Sequence, residues 1–215
     1  MTKLKIDIVS DVVCPWCTIG YKRIEKAIEE LGIQDQVEIE WQPFELNPQM
    51  PAEGQNINEH LNEKYGSTDA QQNESKQNMI AVGKELDFTF DYFDEMRMVN
   101  TFDAHILIEY ARDFGKQTEL KMRLTTAFFS ERKDVSKRDI LKQALLDVGL
   151  DAEEGMAKLD DKEARAEVTK HQEYWKSLGI NSVPTFVFDR KSAATGAQPV
   201  ETFKKILGDL IAKQN

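Results

Sequence analysis

Cysteine occurs twice in the 215 residues, as Cys14 and Cys17, with only Pro15 and Trp16 between them. A thiol pair at this spacing suits three tasks: holding a metal, closing a structural disulfide, or exchanging disulfides. A structural zinc site takes about four Cys and His ligands, and the three histidines, His60, His105 and His171, stand singly along the chain. A bridge across two residues closes a loop too small to stabilise a fold by much. Exchange asks for what the spacing offers, one thiolate to attack a substrate disulfide and a second thiol to resolve the mixed disulfide. The expectation is therefore a redox pair, with no metal and no cofactor.

That chemistry depends on what holds the pair. Leu4, Ile6 and Ile8 alternate with Lys5 and Asp7 ahead of Val9, the pattern of a half-buried strand. Pro15 then stands where a helix can start, because its missing N–H would be unpaired there in any case. Ile24, Ala27, Ile28 and Leu31 follow at helical spacing, and Gly32 supplies a stop. Cys14 thus falls at the helix tip, where orphan N–H groups and the positive dipole end favour a thiolate, and Cys17 falls most of a turn inside. The expected roles are Cys14 as nucleophile and Cys17 as resolver. Asp11 and Glu45 flank the site, each able to accept a proton or merely to cap backbone. Capping is the preferred reading.

The rest of the chain reads as a frame for this unit. Val37 to Trp41 alternates as a second strand, and Asn47 to Gln55 reads as a linker. Helical stripes follow: a weak one over Ser75 to Leu86, then Ile106, Leu107, Tyr110, Ala111 and Phe114 ahead of Gly115. Leu120, Leu124, Ala127 and Phe128 form another, and Ile140 to Val148 a further one, with Ser136 and Asp139 placed like a capping box. Ala164, Val168, His171, Trp175 and Leu178 mark a later helix ending at Gly179. Ser182 to Phe188 is β-rich, a short strand is expected over Ala193 to Thr195, and a last helix over Pro199 to Ala212. One mixed sheet with helices on both faces accommodates these elements, an α/β class. Val183-Pro184 opens the β-rich run. A cis bond there would expose a backbone edge to a docking peptide, yet only about 5–6% of X-Pro bonds are cis, so local sequence alone favours trans.

Composition narrows the partners. The chain is 40% hydrophobic and carries a formal net charge of −10, with no basic stripe to offset phosphate repulsion, so nucleic acid is not expected. No apolar stretch approaches the ~20 residues that span a bilayer, and Met1 to Ile8 lacks the apolar core of a secretory signal. A cytoplasmic location is expected, away from the membrane. The oligomeric state is not legible.

Several motifs together resemble the DsbA-like thioredoxin family, and in particular its FrnE-like cytoplasmic branch, over nearly the whole chain. They are Asp11-Val12-Val13-Cys14-Pro15-Trp16-Cys17-Thr18-Ile19-Gly20, Trp41 to Pro48, Asn100 to His105, Gly179 to Phe186 and Ser192 to Gln198. The resemblance implies a thioredoxin-like fold interrupted by an all-helical insertion subdomain. Residues 1–51 and 156–215 would form the thioredoxin-like domain and 52–155 the insertion. It implies a dithiol–disulfide oxidoreductase acting on disulfide- or thiol-containing protein substrates, with glutathione as a small-thiol candidate. It also implies that Pro184 is cis and faces the cysteines, so that Pro15, Trp16, Val183 and Pro184 meet substrate, and that Asn100 and His105 line the cleft above them. His60 and His171 have no such support and read as packing residues. Trp16 stands where DsbA itself carries His, so DsbA's oxidising strength is not implied. A glutathione-dependent isomerase or kappa-class transferase would share the interrupted fold but place serine at position 14. A redox-sensing module without turnover is the non-enzymatic alternative.

Overall fold

In the computed structural model, which describes residues 3–213, the frame is a four-stranded sheet built from both ends of the chain. The outermost limits of the two thioredoxin-like segments, residues 1–2 and 214–215, lie outside the described residues. Strand β1 (Leu4–Ser10) runs parallel to β2 (Val37–Pro43) and antiparallel to β5 (Thr185–Phe188), which carries β6 (Ser192–Thr195) on its far side. The strand order is β2-β1-β5-β6. Parallel neighbours need a crossover, and α1 (Pro15–Leu31) supplies it.

Alternation along β1 sorts its side chains to two faces. Leu4, Ile6 and Ile8, with Phe186 and Phe188 of β5, join the main core under α1 and the C-terminal helix α9 (Val200–Ala212). Phe203 of α9 meets Phe186 edge-on at 4.8 Å between centroids. Val9 and Val187 face the other way and pack with Phe44 and Trp175. Trp175 lies on α8 (Lys162–Ser177), and its indole N–H donates to Gln42 Oε1 at 3.1 Å.

Between β2 and α8 the chain forms α2 (Ile57–Tyr65), α3 (Asp69–Glu85), α4 (Phe102–Arg112), α5 (Gln117–Phe129), α6 (Arg138–Asp147) and α7 (Ala152–Lys158). This helical insertion also holds a strand pair that the sequence reading lacked, β3 (Gln55–Asn56) with β4 (Arg97–Met98), antiparallel. Two residues are too few for periodicity to register. The insertion docks on the sheet through α5, whose Gln117 side chain accepts from Trp41 N–H at 3.1 Å and donates to Trp41 O at 3.3 Å. An amide side chain thereby satisfies backbone groups on the β2 edge that no strand covers.

Three local expectations need correction. Helix α3 begins at Asp69 rather than near Ser75, and it has a complete capping box: Gln71 N–H donates to Thr68 Oγ1, and Thr68 N–H to Gln71 Oε1. The box expected at Ser136 is absent, because the Ser136 hydroxyl and N–H both donate to Asp134 Oδ1, leaving Lys137 as a cap without a side-chain bond. Phe114 belongs to no buried stripe. Helix α4 ends at Arg112, and Phe114 is half exposed against the Tyr110 ring.

Candidate active site

Cys14 is the N-cap of α1, in extended backbone conformation, and its Sγ accepts the Cys17 N–H at 3.3 Å. The helix start thus offers the expected donor. Both residues hold free thiols, and both are buried, Cys14 4% and Cys17 1% exposed. Burial opposes a thiolate, and two charges this close oppose each other, so the pair loses its protons in two well-separated steps. Burial first, then the Cys17 thiol, hold the Cys14 thiol above its ordinary value, outweighing the helix N–H. At Cys17 burial acts in the same direction, but the hydrogen bond from Cys14, the Lys121 charge and Ser10 prevail and bring it below its ordinary value.

Opposite the dithiol, the Val183-Pro184 peptide is cis, and Cys14 Sγ lies 4.0 Å from the Val183 carbonyl oxygen. Close approach of α1 makes this possible. A Cβ on Gly20 would come within 3.0 Å of Phe186 Cζ and 3.2 Å of Pro184 Cγ, so a glycine lets the helix lie against both.

A cavity of about 370 Å³ opens beside Cys14. Cys14, Pro15, Trp16 and Val183 form one wall, and the insertion forms the opposite one, with Ile57, Leu61, Met79, Tyr92, Met98 and Phe129. Trp16 is 39% exposed at this site. The size and apolar lining, with a few polar groups, are those of ligand sites generally.

Behind the cavity wall lies Asp11, which is 1% exposed. Its Oδ1 accepts from Val12 N–H at 2.7 Å and contacts His105 Nε2 at 3.2 Å, while its Oδ2 accepts from Leu46 N–H at 2.7 Å. Burial disfavours this carboxylate, but the bond and charge of His105, the Leu46 N–H and Lys121 together hold it below the usual range. Asp11 thus ties the active-site turn to the chain that carries Leu46 in the cavity wall. Glu45 does not cap backbone as expected: its carboxylate is held by a side chain, Oε2 accepting from Gln172 Nε2 at 2.9 Å, while its own N–H donates to Gln172 Oε1 at 3.1 Å.

The structure brings Cys14, Cys17, Pro15, Trp16, Val183 and Pro184 together. It places Asn100 and His105 differently from the cleft-lining position expected of them. Asn100 Oδ1 accepts the Phe102 N–H at 3.0 Å and so starts α4. His105, 3% exposed, points from the buried face of α4 to Asp11, beneath the site. His60, read as a packing residue, lines the cavity and bonds Gln55 Oε1 through Nδ1 at 2.8 Å. Lys121 is a buried charged residue outside the set expected from sequence. It is 3% exposed and lies over the Trp41 ring at 5.3 Å. Its position in the Leu120–Leu124 stripe gave only a weak signal, a lysine one residue from a core leucine.

Residues 5–208 match the DSBA-like thioredoxin domain. A crystal structure of a probable DsbA oxidoreductase from Streptomyces coelicolor superposes with a TM-score of 0.91 at 31% identity, covering 99% of this chain and 92% of that one. The uncharacterised Bacillus subtilis protein YwbO is 28% identical over 211 residues, 95% of this chain and 96% of its own. The cytosolic disulfide reductase DsbM of Pseudomonas aeruginosa, solved with glutathione, shares the fold with a TM-score of 0.65 at 14% identity, over 97% of this chain and 99% of DsbM. Among the described residues no helix is long and apolar enough to cross a membrane. The match across almost the full length, with the dithiol at the head of α1 and the cis proline facing it, makes this chain a member of the DSBA-like thioredoxin family.

Proposed function

We propose that the protein is a cytoplasmic dithiol–disulfide oxidoreductase of the DsbA/FrnE type, working through Cys14-Pro15-Trp16-Cys17 on protein or small-molecule disulfides. The observation that carries this reading is the placement of Cys14: at a helix N-terminus, opening onto a 370 Å³ cavity, and 4.0 Å from the Val183 carbonyl. Cys17 lies behind it and does not line the cavity. Reach therefore makes Cys14 the attacking sulfur.

In the reducing direction the Cys14 thiolate attacks one substrate sulfur, the substrate S–S bond breaks, and one substrate thiolate leaves. The Cys17 thiolate then attacks Cys14 Sγ and releases the second substrate thiolate. The substrate gains two electrons and two protons overall, and the protein is left with the Cys14–Cys17 disulfide; the reverse sequence oxidises a dithiol. Pro15, Trp16, Val183 and Pro184 frame the substrate sulfur. Asn100 and His105 act from behind, one fixing α4 and the other fixing Asp11. Glutathione is the first small thiol to test, because DsbM was solved with it. Serine-dependent isomerase or transferase chemistry finds no support at a position occupied by Cys14.

Multiple-turnover reduction of insulin disulfides, with glutathione as electron source, tests this reading. The intact protein should turn over many times and Cys14→Ser should not. A single stoichiometric exchange without turnover would instead favour the redox-sensing alternative.

A further inference from the structure

The wall of the cavity beside Cys14 carries polar side chains, yet most of them are already committed within the chain. His60 Nδ1 bonds Gln55 Oε1, Asn47 Oδ1 accepts from Lys64 Nζ, and Ser67 Oγ donates to the Leu61 carbonyl. Gln71 closes the capping box of α3, and Gln72 Nε2 donates to the Asn58 and Ser67 carbonyls. Gln72 Oε1 has no partner but is itself buried. Of the Ser, Asn, Gln and His side chains in the wall, only Ser75 holds no such bond. The Tyr92 hydroxyl donates to Met79 Sδ at 3.2 Å. Among the described residues the wall has no carboxylate, and its one Lys or Arg is Lys76. That ammonium bonds Asn58 Oδ1 and lies 5.9 Å from the Tyr92 ring centroid. What meets a ligand is therefore mainly apolar surface. Trp16 of α1 and Tyr65 at the end of α2 extend that surface into solvent, 39% and 62% exposed, and exposed apolar side chains that adjoin one another mark binding surfaces.

We propose that this cavity seats the apolar arm of a small-molecule disulfide, so that the preferred substrate is an uncharged compound with an aliphatic or aromatic body. The inference rests on the exchange reading above. Cys14 fixes what can occupy the cavity, because it stands in the same wall and exchange joins it only to sulfur. A peptide backbone entering there would leave N–H and C=O groups unpaired against the wall. A glutathione arm would bring carboxylates and an ammonium, with only the already bonded Lys76 to meet them. An alkyl or aryl arm is buried with neither penalty. The Cys14 thiolate attacks the sulfur that carries the seated arm, and the other arm leaves as its thiolate. Cys17 then displaces the seated arm as a second thiolate. One substrate disulfide is reduced and the Cys14–Cys17 disulfide forms. Glutathione exchanges at the same sulfur without the gain from burial.

The test is single-turnover oxidation of the full-length reduced protein by diethyl, dipropyl and dibutyl disulfide, followed by intact mass. Lengthening the chain changes the arm and leaves the reacting sulfurs alike. Dividing each rate constant by that of dithiothreitol with the same compound removes intrinsic reactivity. Each methylene added to the seated arm should raise this ratio about three- to fourfold until the arm fills the cavity. Bis(2-hydroxyethyl) disulfide matches the dipropyl compound in length but ends in hydroxyls, and glutathione disulfide ends in charges. Both ratios should fall about tenfold or more below that of dipropyl disulfide. Leu61→Glu places a carboxylate in the wall and should flatten the chain-length series. Tyr65→Ser, at an exposed position, should lower its slope.

A ratio that does not rise from diethyl to dibutyl disulfide in the native protein would overturn the proposal. So would glutathione disulfide matching dipropyl disulfide, or a full chain-length slope in folded Leu61→Glu. If Leu61→Glu fails to fold, an undiminished slope in Tyr65→Ser overturns it instead. A native protein that reacts with none of these disulfides would remove the exchange reading itself, whereas equal reaction with all of them would remove only the seated arm.

Discussion

Replacing Asp11 by asparagine should cost the fold stability, and the cost should follow the charge of the carboxyl. Both carboxylate oxygens of Asp11 accept backbone N–H groups, from Val12 and Leu46, each at 2.7 Å, and the residue is 1% exposed. An amide can accept at only one of those places. Its NH₂ group must face an N–H donor at the other, leaving that donor buried and unpaired. A hydrogen bond to a charged group contributes about 1.5–3 kcal/mol, and an orphaned buried donor about 1–3, partly overlapping, so Asp11→Asn should cost roughly 2–4 kcal/mol. For a chain of this size that lowers Tm by about 5–12 °C. The native carboxyl is held below its ordinary value. Its stabilisation is therefore fully present above the unfolded-state value of about 3.9, and is lost as pH falls through the lower folded value. Urea unfolding of the native and Asp11→Asn proteins, at neutral pH and then in steps below about pH 4, measures both features. A difference under about 0.5 kcal/mol at neutral pH, the noise of a surface substitution, would refute the reasoning, and so would one that persists undiminished in acid.

Other changes separate scaffold from chemistry. Asp7 is fully buried; its Oδ2 accepts no hydrogen bond among the described residues and lies 3.5 Å from the half-exposed Arg190 guanidinium, and burial raises its pKa despite the Gln42 bond and the Lys5 and Arg190 charges. The folded state thus disfavours its charge above the unfolded value of about 3.9, and Asp7→Asn should stabilise the protein near neutral pH by about 1 kcal/mol. Urea titrations should show that gain vanish once pH falls below the unfolded value. Gly20→Val would press a branched side chain against Phe186 and Pro184, at positions already 3.0 and 3.2 Å from a first carbon. It should cost about 1–3 kcal/mol in thermal unfolding and reduce exchange more than Gly20→Ala does. Trp16→Ala removes an exposed wall of the cavity and should leave stability within about 0.5 kcal/mol, while raising KM for disulfide substrates in steady-state assays.

The redox unit was legible because each of its parts has a local cause. Alternation marked β1, Pro15 marked the head of α1, Gly32 its end, and the spacing of Cys14 and Cys17 did the rest. The cis state of Val183-Pro184 was not local. Nothing in the run from Ser182 to Phe188 reverses the trans preference of an X-Pro bond, and only the resemblance suggested it. Local competition decided the caps: Asp134 takes the Ser136 donors before α6 can use them, whereas the Thr68–Gln71 box opens a helix, α3, that is polar on most sides and so shows no apolar stripe to mark its start. His60, His105 and Lys121 were the hardest to read. Their positions depend on how the insertion folds back over the dithiol, a contact between segments 46 to 107 residues from Cys14 in the sequence. A histidine or lysine inside an apolar stripe gives no sign of what lies across the interface.

The central claim is that Cys14 attacks and Cys17 resolves. Intact-mass analysis of Cys17→Ser and Cys14→Ser after mixing with a disulfide substrate tests it directly, with peptide mapping of the adduct. Cys17→Ser should accumulate one substrate-sized mixed disulfide located on Cys14, and Cys14→Ser should accumulate none. Adducts on Cys17 in the Cys14→Ser protein, or full exchange activity in both variants, would contradict the account.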